Sequence, residues 1–239
     1  MECVSEALTF SSKSFRATFR NNIQNQLHVY RKSHAILVIS PTQPYYKDQA
    51  KFSAIIELIN ASEFKTCQIV IGDTNYQHTL KIKYPNSEEA YAVADKIGLD
   101  WINKNQSIYS KLNMPYDLTR WREWVLNDKY AYHRKKLDIA YDKDCALKDA
   151  FFASANDFVL RNAETLGINE LNRLYAFENC LEYLKEECAI MMPLWAEMKI
   201  PFIIYPSKML QAMEETYRKL VIPHYPVHPH WLSIRCASK

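Results

Sequence analysis

The clearest structural signal in the sequence is the run His34-Ala35-Ile36-Leu37-Val38-Ile39-Ser40-Pro41-Thr42-Gln43-Pro44-Tyr45-Tyr46. Five consecutive apolar residues, three of them β-branched, are followed by a serine and a proline. A short apolar run that ends at such breakers predicts a buried parallel strand. The residues from Tyr45 to Asn60 have helical spacing, so Ser40 is predicted at the carboxyl end of a strand, just before a helix.

The predicted position of Ser40 gives its side chain two possible roles. In open α/β sheets, ligands bind at the carboxyl edge of the strands, and the free N–H groups of a helix that begins there favour developing negative charge. Ser40 is therefore a candidate nucleophile. The alternative is that Ser40 only caps the turn, and this stretch by itself leaves both interpretations open.

A second apolar run, Cys67–Thr74, also ends at turn residues. It predicts a second parallel strand, which the helix over Tyr45–Asn60 connects to the first. The alternation of strand, helix and strand predicts the α/β fold class.

A third run, Ile200–Pro206, predicts another strand and places Tyr205 at the same kind of strand end as Ser40. The following residues predict a helix that Ser207 caps and that reaches about Leu220. Two polar side chains that can take part in chemistry are thus expected at one edge of the sheet.

Length and composition indicate a single globular domain over residues 1–239, of which 48% are hydrophobic and 24% charged. No apolar run of membrane-spanning length occurs, and the N-terminus lacks the features of a signal peptide. The six cysteines form no CxxC motif, which predicts reduced thiols in a cytoplasmic protein. A GxGxxG or Walker loop is impossible, because the sequence has only three glycines and they are far apart, at positions 72, 98 and 167.

The two ends of the chain carry less information. A strand is predicted within Phe10–Phe19 and a short helix over Asn22–Tyr30. The tail from Ile222 is rich in proline and is predicted to be irregular. Its three histidines, at positions 224, 228 and 230, have no acidic or cysteine partner nearby, so no metal site is predicted.

Two groups of basic residues are candidates for binding RNA phosphates. The first is a stripe on a helix that Asn86 caps and that reaches about Leu112; its lysines are Lys96, Lys104 and Lys111. The second group lies in the region from Asp117 onward, which has an almost wholly helical pattern. Aromatic residues interleave with this group, whose members are Lys129, Arg134, Lys135 and Lys136. The alternative for the stripe is an ordinary solvated helix face, which is the more common outcome. Asp138, Asp142 and Asp144 closely follow the second group and weaken its assignment to RNA.

The segment Asn169–Met192 has a helical apolar stripe, and Glu187 lies at the margin of that stripe. Tyr183 precedes it by one turn on the same face, whereas neighbouring Glu186 is predicted to face solvent. A half-buried carboxylate needs a partner. That partner is either a substrate ammonium group, with the Tyr183 phenol helping to orient the carboxylate, or a structural hydrogen bond.

Taken together, these residues resemble the cyclodipeptide synthases, in order and spacing, over about residues 34–206. The matching residues are His34–Ser40, Gln43, Tyr45-Tyr46, Asp73-Thr74, Tyr183, Glu187 and Tyr205-Pro206. Gln43, Tyr205 and Pro206 resemble the branch of the family with a variable residue, Tyr and Pro at three marker positions. Val38 departs from the glycine that many members have at this position.

The resemblance implies a Rossmann-like, mostly parallel sheet flanked by helices, similar to the catalytic core of class I tyrosyl- and tryptophanyl-tRNA synthetases. Members of the family act as monomers and do not use ATP, so no cofactor is expected. No membrane partner is expected either, because the sequence has no apolar run long enough to span a membrane. They join the aminoacyl groups of two aminoacyl-tRNAs into a cyclic dipeptide, a diketopiperazine. The chain is therefore expected to be an aminoacyltransferase with tRNA partners.

The resemblance also implies roles for individual residues. Ser40 would form an aminoacyl-enzyme, a second aminoacyl-tRNA would react with it, and the resulting dipeptidyl-enzyme would cyclise. Tyr183 and Glu187 would hold the substrate amine, and Tyr205 would relay protons. The implied substrate-binding residues are Ile36, Val38, Gln43, Val70, Trp121 and Pro206. Within this set, Trp121 would make the first side-chain pocket shallow and favour a small residue.

Two other functions remain compatible with the residues. A serine acyltransferase or hydrolase that acts on a small ester would need a base near Ser40, and His34 or His133 are the candidates. A non-catalytic RNA-binding module would use the basic groups, but it would have no use for Ser40 or a half-buried Glu187.

Overall fold

A seven-stranded sheet forms the centre of the structure, a computed structural model that describes residues 10–11, 14–20 and 31–238. Its strands are β1 Phe10–Ser11, β2 Phe15–Phe19, β3 His34–Ile39, β4 Thr66–Ile71, β5 Tyr116–Arg120, β6 Phe202–Tyr205 and β7 His230–Ser238. Their order in the sheet is β1-β2-β7-β6-β3-β4-β5. From β7 to β5 the strands run parallel, whereas β1 and β2 are antiparallel at one edge.

The predicted strand at His34–Ile39 is confirmed, and it lies in the middle of the parallel part between β6 and β4. Both of its faces are covered, so the residues Ala35–Ile39 are all buried. Ile36 and Val38 pack into the core on one face, and Leu37 and Ile39 pack into the core on the other. The continuous apolar run follows from this two-sided burial.

Helices cover both faces of the sheet. They are α1 Pro44–Lys47, α2 Gln49–Ala61, α3 Gln77–Leu80, α4 Ser87–Tyr109, α5 Trp121–Val125, α6 Tyr130–Lys143, α7 Cys145–Leu166, α8 Arg173–Ala189, α9 Trp195–Glu197 and α10 Gln211–Thr216. A 3-10 turn spans Thr74–Tyr76, and two π-helical segments span Ile190–Leu194 and Tyr217–Val221.

The helices form two layers, one on each face of the sheet. Leu137 of α6, Phe151 of α7 and Leu184 of α8 are buried in the same cluster as Ile36. Residues of α2 and α4, including Trp101, pack into the cluster on the opposite face. The α/β architecture predicted from the sequence is therefore confirmed.

The helix predicted over Tyr45–Asn60 is present but divided in two. Asp48 ends α1 and caps α2, because its Oδ1 accepts hydrogen bonds from the backbone N–H groups of Ala50 at 2.9 Å and Lys51 at 3.3 Å. An aspartate in this position satisfies N–H groups that have no partner within the helix. The predicted connection of β3 to a parallel β4 through a helix is confirmed.

Two strands occur where other structure was predicted. The strand β5 lies at the start of the segment that was interpreted as helical from Asp117, and β7 follows the proline-rich part of the tail that was predicted to be irregular. Each adds to a neighbouring parallel strand, β4 and β6 respectively. A partner distant in the sequence therefore decides these strands, and local patterns do not contain that information.

Helix boundaries differ from the predictions at two places. Asn86 caps its helix as predicted, but α4 ends at Tyr109 and not near Leu112. Ser207 does not cap a helix, because α10 begins only at Gln211. The helix predicted over Asn22–Tyr30 lies outside the described residues.

Within the described ranges, no helix combines the length and hydropathy needed to cross a membrane.

Candidate active site

A cavity of about 310 Å³ opens at the carboxyl edge of the sheet, where β3 and β6 end. It brings together five side chains that the sequence predicted for the site: Ser40, Gln43, Tyr183, Glu187 and Tyr205. The cavity has further lining residues from several elements: Thr42, Tyr76, Thr79, Phe158, Arg161, Ser207, Lys208, Leu210, Met213 and Trp231. The site is therefore assembled from segments far apart in the chain.

Ser40 is held at the end of β3 by a tight turn. Its carbonyl oxygen accepts a hydrogen bond from the backbone N–H of Gln43 at 3.0 Å. The Tyr46 hydroxyl donates to the carbonyl of Val38 at 2.7 Å, which fixes the last residues of the strand. The Ser40 hydroxyl is half-buried and lies 3.5 Å from Thr42 Oγ1. The backbone therefore forms the turn, and the side chain faces the cavity.

Tyr183 and Glu187 lie one turn apart on α8, and the Tyr183 hydroxyl donates a hydrogen bond to Glu187 Oε1 at 3.2 Å. Glu187 is only 8% exposed. Burial is the main cause that raises the pKa of its carboxyl group to about 7; the hydrogen bond from Tyr183 opposes the rise, and the charge of Glu186 adds to it. A carboxylate in this state can bind an ammonium group and can also exchange a proton near neutral pH.

Tyr205 ends β6, next to the strand that carries Ser40. Burial raises the pKa of its phenol well above the ordinary value, and the charge of Glu187 adds to the rise. Hydrogen bonds with the side chains of Ser40 and Gln43 act in the opposite direction. The phenol therefore stays protonated while it contacts the serine hydroxyl.

Glu186 does not face solvent, and the prediction that it does is wrong. The side chain is buried; it accepts hydrogen bonds from Trp121 Nε1 at 2.8 Å and His78 Nε2 at 3.2 Å. The helix α3, which carries His78, packs on α8 and covers this face. Helical periodicity placed Glu186 opposite the apolar stripe, but it could not show that a second element would cover it.

The segment after β4 also shapes the site, and the resemblance to the family singled out only Asp73 and Thr74 in it. Asp73 caps the Thr74–Tyr76 turn by accepting a hydrogen bond from the Thr74 N–H at 2.7 Å. In this turn, Asn75 is hydrogen-bonded to Tyr183, and Tyr76 lines the cavity. The turn thus orients the tyrosine that contacts Glu187.

The side chains implied for the first substrate pocket lie together, but below the cavity. Ile36, Val38, Val70 and Trp121 are all buried in one core cluster, on the face of the sheet that α8 covers. Pro206 is also buried, directly after Tyr205. None of these five lines the cavity at Ser40, so they can affect its depth only from underneath.

A comparison with solved structures decides the family. A CDPS, or cyclodipeptide synthase, from Fluoribacter dumoffii has 34% sequence identity and a TM-score of 0.86, covering 94% of this chain and 99% of that chain. The chain belongs to the cyclodipeptide synthase family. No family model and no curated protein matches the sequence.

More distant structures share the fold of this cyclodipeptide synthase. The enzyme from Candidatus Glomeribacter gigasporarum, solved bound to Phe-tRNAPhe, has 16% identity and a TM-score of 0.68, covering 90% of this chain and 93% of that one. Tyrosyl-tRNA synthetase from Archaeoglobus fulgidus has 12% identity and a TM-score of 0.51, and the match covers 88% of this chain and 57% of the synthetase chain. The predicted likeness to the class I synthetase core is confirmed.

The two basic groups of this cyclodipeptide synthase lie in different layers. The lysines of the first group, Lys96, Lys104 and Lys111, lie on and just after α4, are exposed, and have no ion-pair partner among the described residues. The second group lies on and just before α6, across the sheet. There, Lys129 binds Glu197 at 2.6 Å, and Arg134 binds Asp138 at 3.0 Å and Glu182 at 2.7 Å.

The rest of the second group differs in its contacts. Lys136 lies over the ring of Tyr132, with its nitrogen 4.7 Å from the ring centroid, and Lys135 is exposed. Two of the four cations are therefore largely neutralised by their own protein. The first group has more charge available for a polyanion.

The two histidines considered as bases are both remote from Ser40. His34 begins β3, at the opposite end of the strand, and is hydrogen-bonded to Thr66. His133 is fully buried and bonds to Glu197 at 2.7 Å through Nε2. Neither lines the cavity, so the placement disfavours a hydrolase with a histidine base.

The described residues contain no cluster of three or more side chains that could hold a metal ion.

Proposed function

We propose that this chain uses two aminoacyl-tRNAs in turn and forms a cyclic dipeptide through a covalent intermediate on Ser40. The observation that carries the proposal is the convergence of Ser40, Tyr183, Glu187 and Tyr205 on one cavity. An aminoacyl ester is already activated, so the reaction needs neither ATP nor a cofactor. The Phe-tRNA-bound relative supports tRNA as the carrier of the acyl groups.

In the first half-reaction, Ser40 Oγ attacks the carbonyl carbon of the aminoacyl ester. The bond to the ribose oxygen breaks, and that oxygen receives the serine proton, so tRNA leaves with a free hydroxyl. Tyr205 contacts the serine hydroxyl and stays protonated, which suits it to pass this proton on. The product is an aminoacyl ester of Ser40.

In the second half-reaction, the amine of the aminoacyl-enzyme attacks the ester of the second aminoacyl-tRNA, and the second tRNA leaves. The new terminal amine of the dipeptidyl-enzyme then attacks the Ser40 ester, which closes the ring and frees the serine. Each attack needs a neutral amine. Glu187, with its pKa near 7, binds the ammonium form and takes up the proton that must be lost.

The buried set Ile36, Val38, Val70 and Trp121 supports a preference for a small first residue. Trp121 is anchored by its hydrogen bond to Glu186, so its large ring cannot move aside easily.

The exposed lysines of α4 are the better candidates for the body of the tRNA, because no acidic side chain neutralises them. We also propose that the chain acts as a monomer of the branch to which Gln43, Tyr205 and Pro206 correspond.

The experiment is to incubate the purified chain with tRNA carrying a radioactive aminoacyl group. Wild type should become covalently labelled and release a cyclic dipeptide that mass spectrometry identifies. Ser40→Ala should give neither, whereas Ser107→Ala, an exposed serine on α4, should behave as wild type. A labelled Ser40→Ala protein would refute the assignment of the nucleophile.

A further inference from the structure

Glu186 is a buried acid that the mechanism above does not use. It is only 7% exposed and directly precedes Glu187 on α8. Of the two carboxylates, Glu187 lines the cavity at Ser40 and Glu186 does not. Consecutive side chains on a helix point about 100° apart, so the two acids face different neighbours. A second buried acid beside the one that binds the substrate amine is costly unless it is compensated.

Two N–H donors from different helices hold the Glu186 carboxylate. Its Oε1 accepts a hydrogen bond from Trp121 Nε1 of α5 at 2.8 Å, and its Oε2 accepts one from His78 Nε2 of α3 at 3.2 Å. Each oxygen thus has a donor, and such bonds favour the ionised form. Trp121 is 1% exposed and the His78 side chain 12% exposed, so little water reaches this carboxylate. A negative charge is therefore fixed beside Glu187 and is poorly screened.

This fixed charge acts on the protonation of Glu187. Burial is the main cause that raises the pKa of the Glu187 carboxyl; the hydrogen bond from Tyr183 opposes the rise, and the charge of Glu186 adds to it. The proposed mechanism asks Glu187 to bind an ammonium group and then to take up its proton. That second task needs a base whose pKa lies near the working pH, because a carboxylate with the ordinary pKa holds a proton too weakly.

We propose that Glu186 is a positioning residue for the reaction: held in place by Trp121 and His78, its negative charge makes Glu187 a stronger base toward the substrate amine. Glu186 itself does not reach the cavity and acts only through its neighbour. This inference rests on the proposed role of Glu187 in the reaction.

Other titratable and charged groups surround the two carboxylates, and most of them are neutral near neutral pH. The phenols and thiols that face Glu187 are held neutral by burial, which raises their pKa values; they are Cys180, Tyr183 and Cys188 on α8 and Tyr205 on β6. The phenol and the cations that line the same cavity are Tyr76, Arg161 and Lys208. Besides His78, the phenol of Tyr130 on α6 faces Glu186 and is bonded to Arg134, and Glu182 lies near His78. Among the described residues, Glu186 is thus the charged neighbour that raises the pKa of Glu187.

The coupling can be measured without substrate, by a double-mutant cycle in denaturant unfolding. Wild type, Glu187→Gln, Glu186→Gln and the double variant are each unfolded at several pH values. With Glu186 present, the contribution of Glu187 to the free energy of unfolding falls as the pH rises from about 4.5 to 7. Without the charge at residue 186, the ionised form of Glu187 is less disfavoured. The upper end of this range should therefore move to lower pH by roughly one unit.

The matching readout on activity is the pH profile of cyclic dipeptide formation, with the same aminoacyl-tRNA for every variant. In wild type the rate should rise as Glu187 ionises, near pH 7. In Glu186→Gln this rise should lie roughly one pH unit lower, because the carboxylate forms more easily. Glu186→Asp keeps the charge and should keep the wild-type profile, even where the rate itself is lower.

Glu182→Gln is the matched control on the same helix. Glu182 lies one turn before Glu186, binds Arg134 at 2.7 Å, and has 48% of its side chain exposed, so solvent screens its charge. Its loss should move neither the unfolding range nor the rate profile. If Glu186→Gln does not fold, His78→Leu combined with Glu186→Met removes both polar partners together, which costs less than leaving one unpaired. That protein should show both shifts in the same direction as Glu186→Gln.

The outcomes separate this inference from the proposed function. Unchanged pH ranges in a folded Glu186→Gln protein, or equal shifts in Glu182→Gln, would overturn the proposal and leave Glu186 as a structural clamp of Trp121. A shift in the unfolding data, together with no cyclic dipeptide from wild type, would refute the proposed function and the use of Glu186 in it. The coupling between the two carboxylates would still stand in that case.

Discussion

Gly98 of α4 lies directly against the side chain of Asp73, so that a methyl group added at residue 98 would be 2.6 Å from the Asp73 Cβ and 2.7 Å from its Cγ. Asp73 cannot move away freely. Arg120 binds its carboxylate at 2.6 Å through both Nε and a terminal nitrogen, and Arg120 also donates to the backbone oxygen of Asp95 at 2.7 Å. The contact therefore ties the long helix α4 to the turn beside the active site.

Gly98→Ala tests this contact, and the sign of its effect is informative. In the middle of an exposed helix, this change stabilises a protein by about 1 kcal/mol. At Gly98 we expect the opposite, a loss of roughly 1–3 kcal/mol, because the core is overpacked. Urea unfolding measures the difference. Gln106→Ala, an exposed position on the same helix, is the control and should be neutral or slightly stabilising; a stabilised Gly98→Ala would show that Asp73 yields easily.

Glu187→Gln tests the role of Glu187 in reading the substrate amine. The change keeps the shape and removes the charge, so it should lower the rate of product formation roughly ten- to hundredfold. The specific comparison uses tRNA carrying an acyl group whose α-amine is replaced by a hydroxyl. Wild type should prefer the amine form strongly, and the variant should lose most of that preference. If the variant keeps the full preference, another group holds the amine.

The same residue predicts a pH dependence of stability. The Glu187 carboxyl has a pKa of about 7 in the folded chain, against 4.5 as its ordinary value. The unfolded chain thus releases this proton first, and the contribution of Glu187 to the free energy of unfolding falls as the pH rises from about 4.5 to 7. Above about pH 7, the buried Glu187 carboxylate lowers the free energy of unfolding by its full amount, on the order of 3 kcal/mol.

Glu187→Gln should therefore be more stable than wild type near neutral and alkaline pH and nearly equal to it in acid. Denaturant unfolding at several pH values measures both curves. The result also separates two interpretations of this residue. A carboxylate with a purely structural role would make the variant less stable than wild type at all these pH values, with little change in turnover per folded molecule.

Charge reversal should distinguish the two basic groups. Lys96→Glu and Lys104→Glu should weaken the binding of all tRNAs alike, and each should reduce the dependence of log affinity on log salt by about one. Their folding should be unchanged, because neither lysine has an ion-pair partner among the described residues. Fluorescence anisotropy across a salt series measures this, and an affinity that does not depend on salt would contradict a phosphate contact.

Arg134→Glu is the matched change in the second group. It breaks the bonds to Asp138 and Glu182 and places three carboxylates together. We therefore expect a lower melting temperature and only a small additional effect on tRNA affinity for the protein that remains folded. A large loss of affinity without loss of stability would assign the tRNA to the α6 side of the sheet instead.

Several parts of the site could be predicted from the sequence because they depend on local periodicity. A buried apolar run closed by breakers placed Ser40 and Tyr205 at strand ends. Helical spacing placed Tyr183 and Glu187 on one face, one turn apart. Parallel strands end at a common edge of the sheet, so Ser40 and Tyr205 were expected at the same edge.

Other features depend on partners that are distant in the sequence. Glu186 is buried because α3 packs over it, and β5 and β7 are strands because β4 and β6 are their neighbours. Arg134 is neutralised by Glu182, and the positions of Arg161 and Lys208 at the cavity rim follow from how α7 meets the loop before α10. Residue patterns give no distances between such segments.

Local patterns in the sequence therefore established the α/β class, the strand ends that carry Ser40 and Tyr205, and the pairing of Tyr183 with Glu187. Each follows from interactions within one strand or helix, where the period of the backbone fixes which side chains are neighbours. Packing between distant elements settled which carboxylate is buried, which cations keep their charge available, and which side chains line the cavity. These depend on desolvation and on contacts between elements, and both arise only when distant segments pack together.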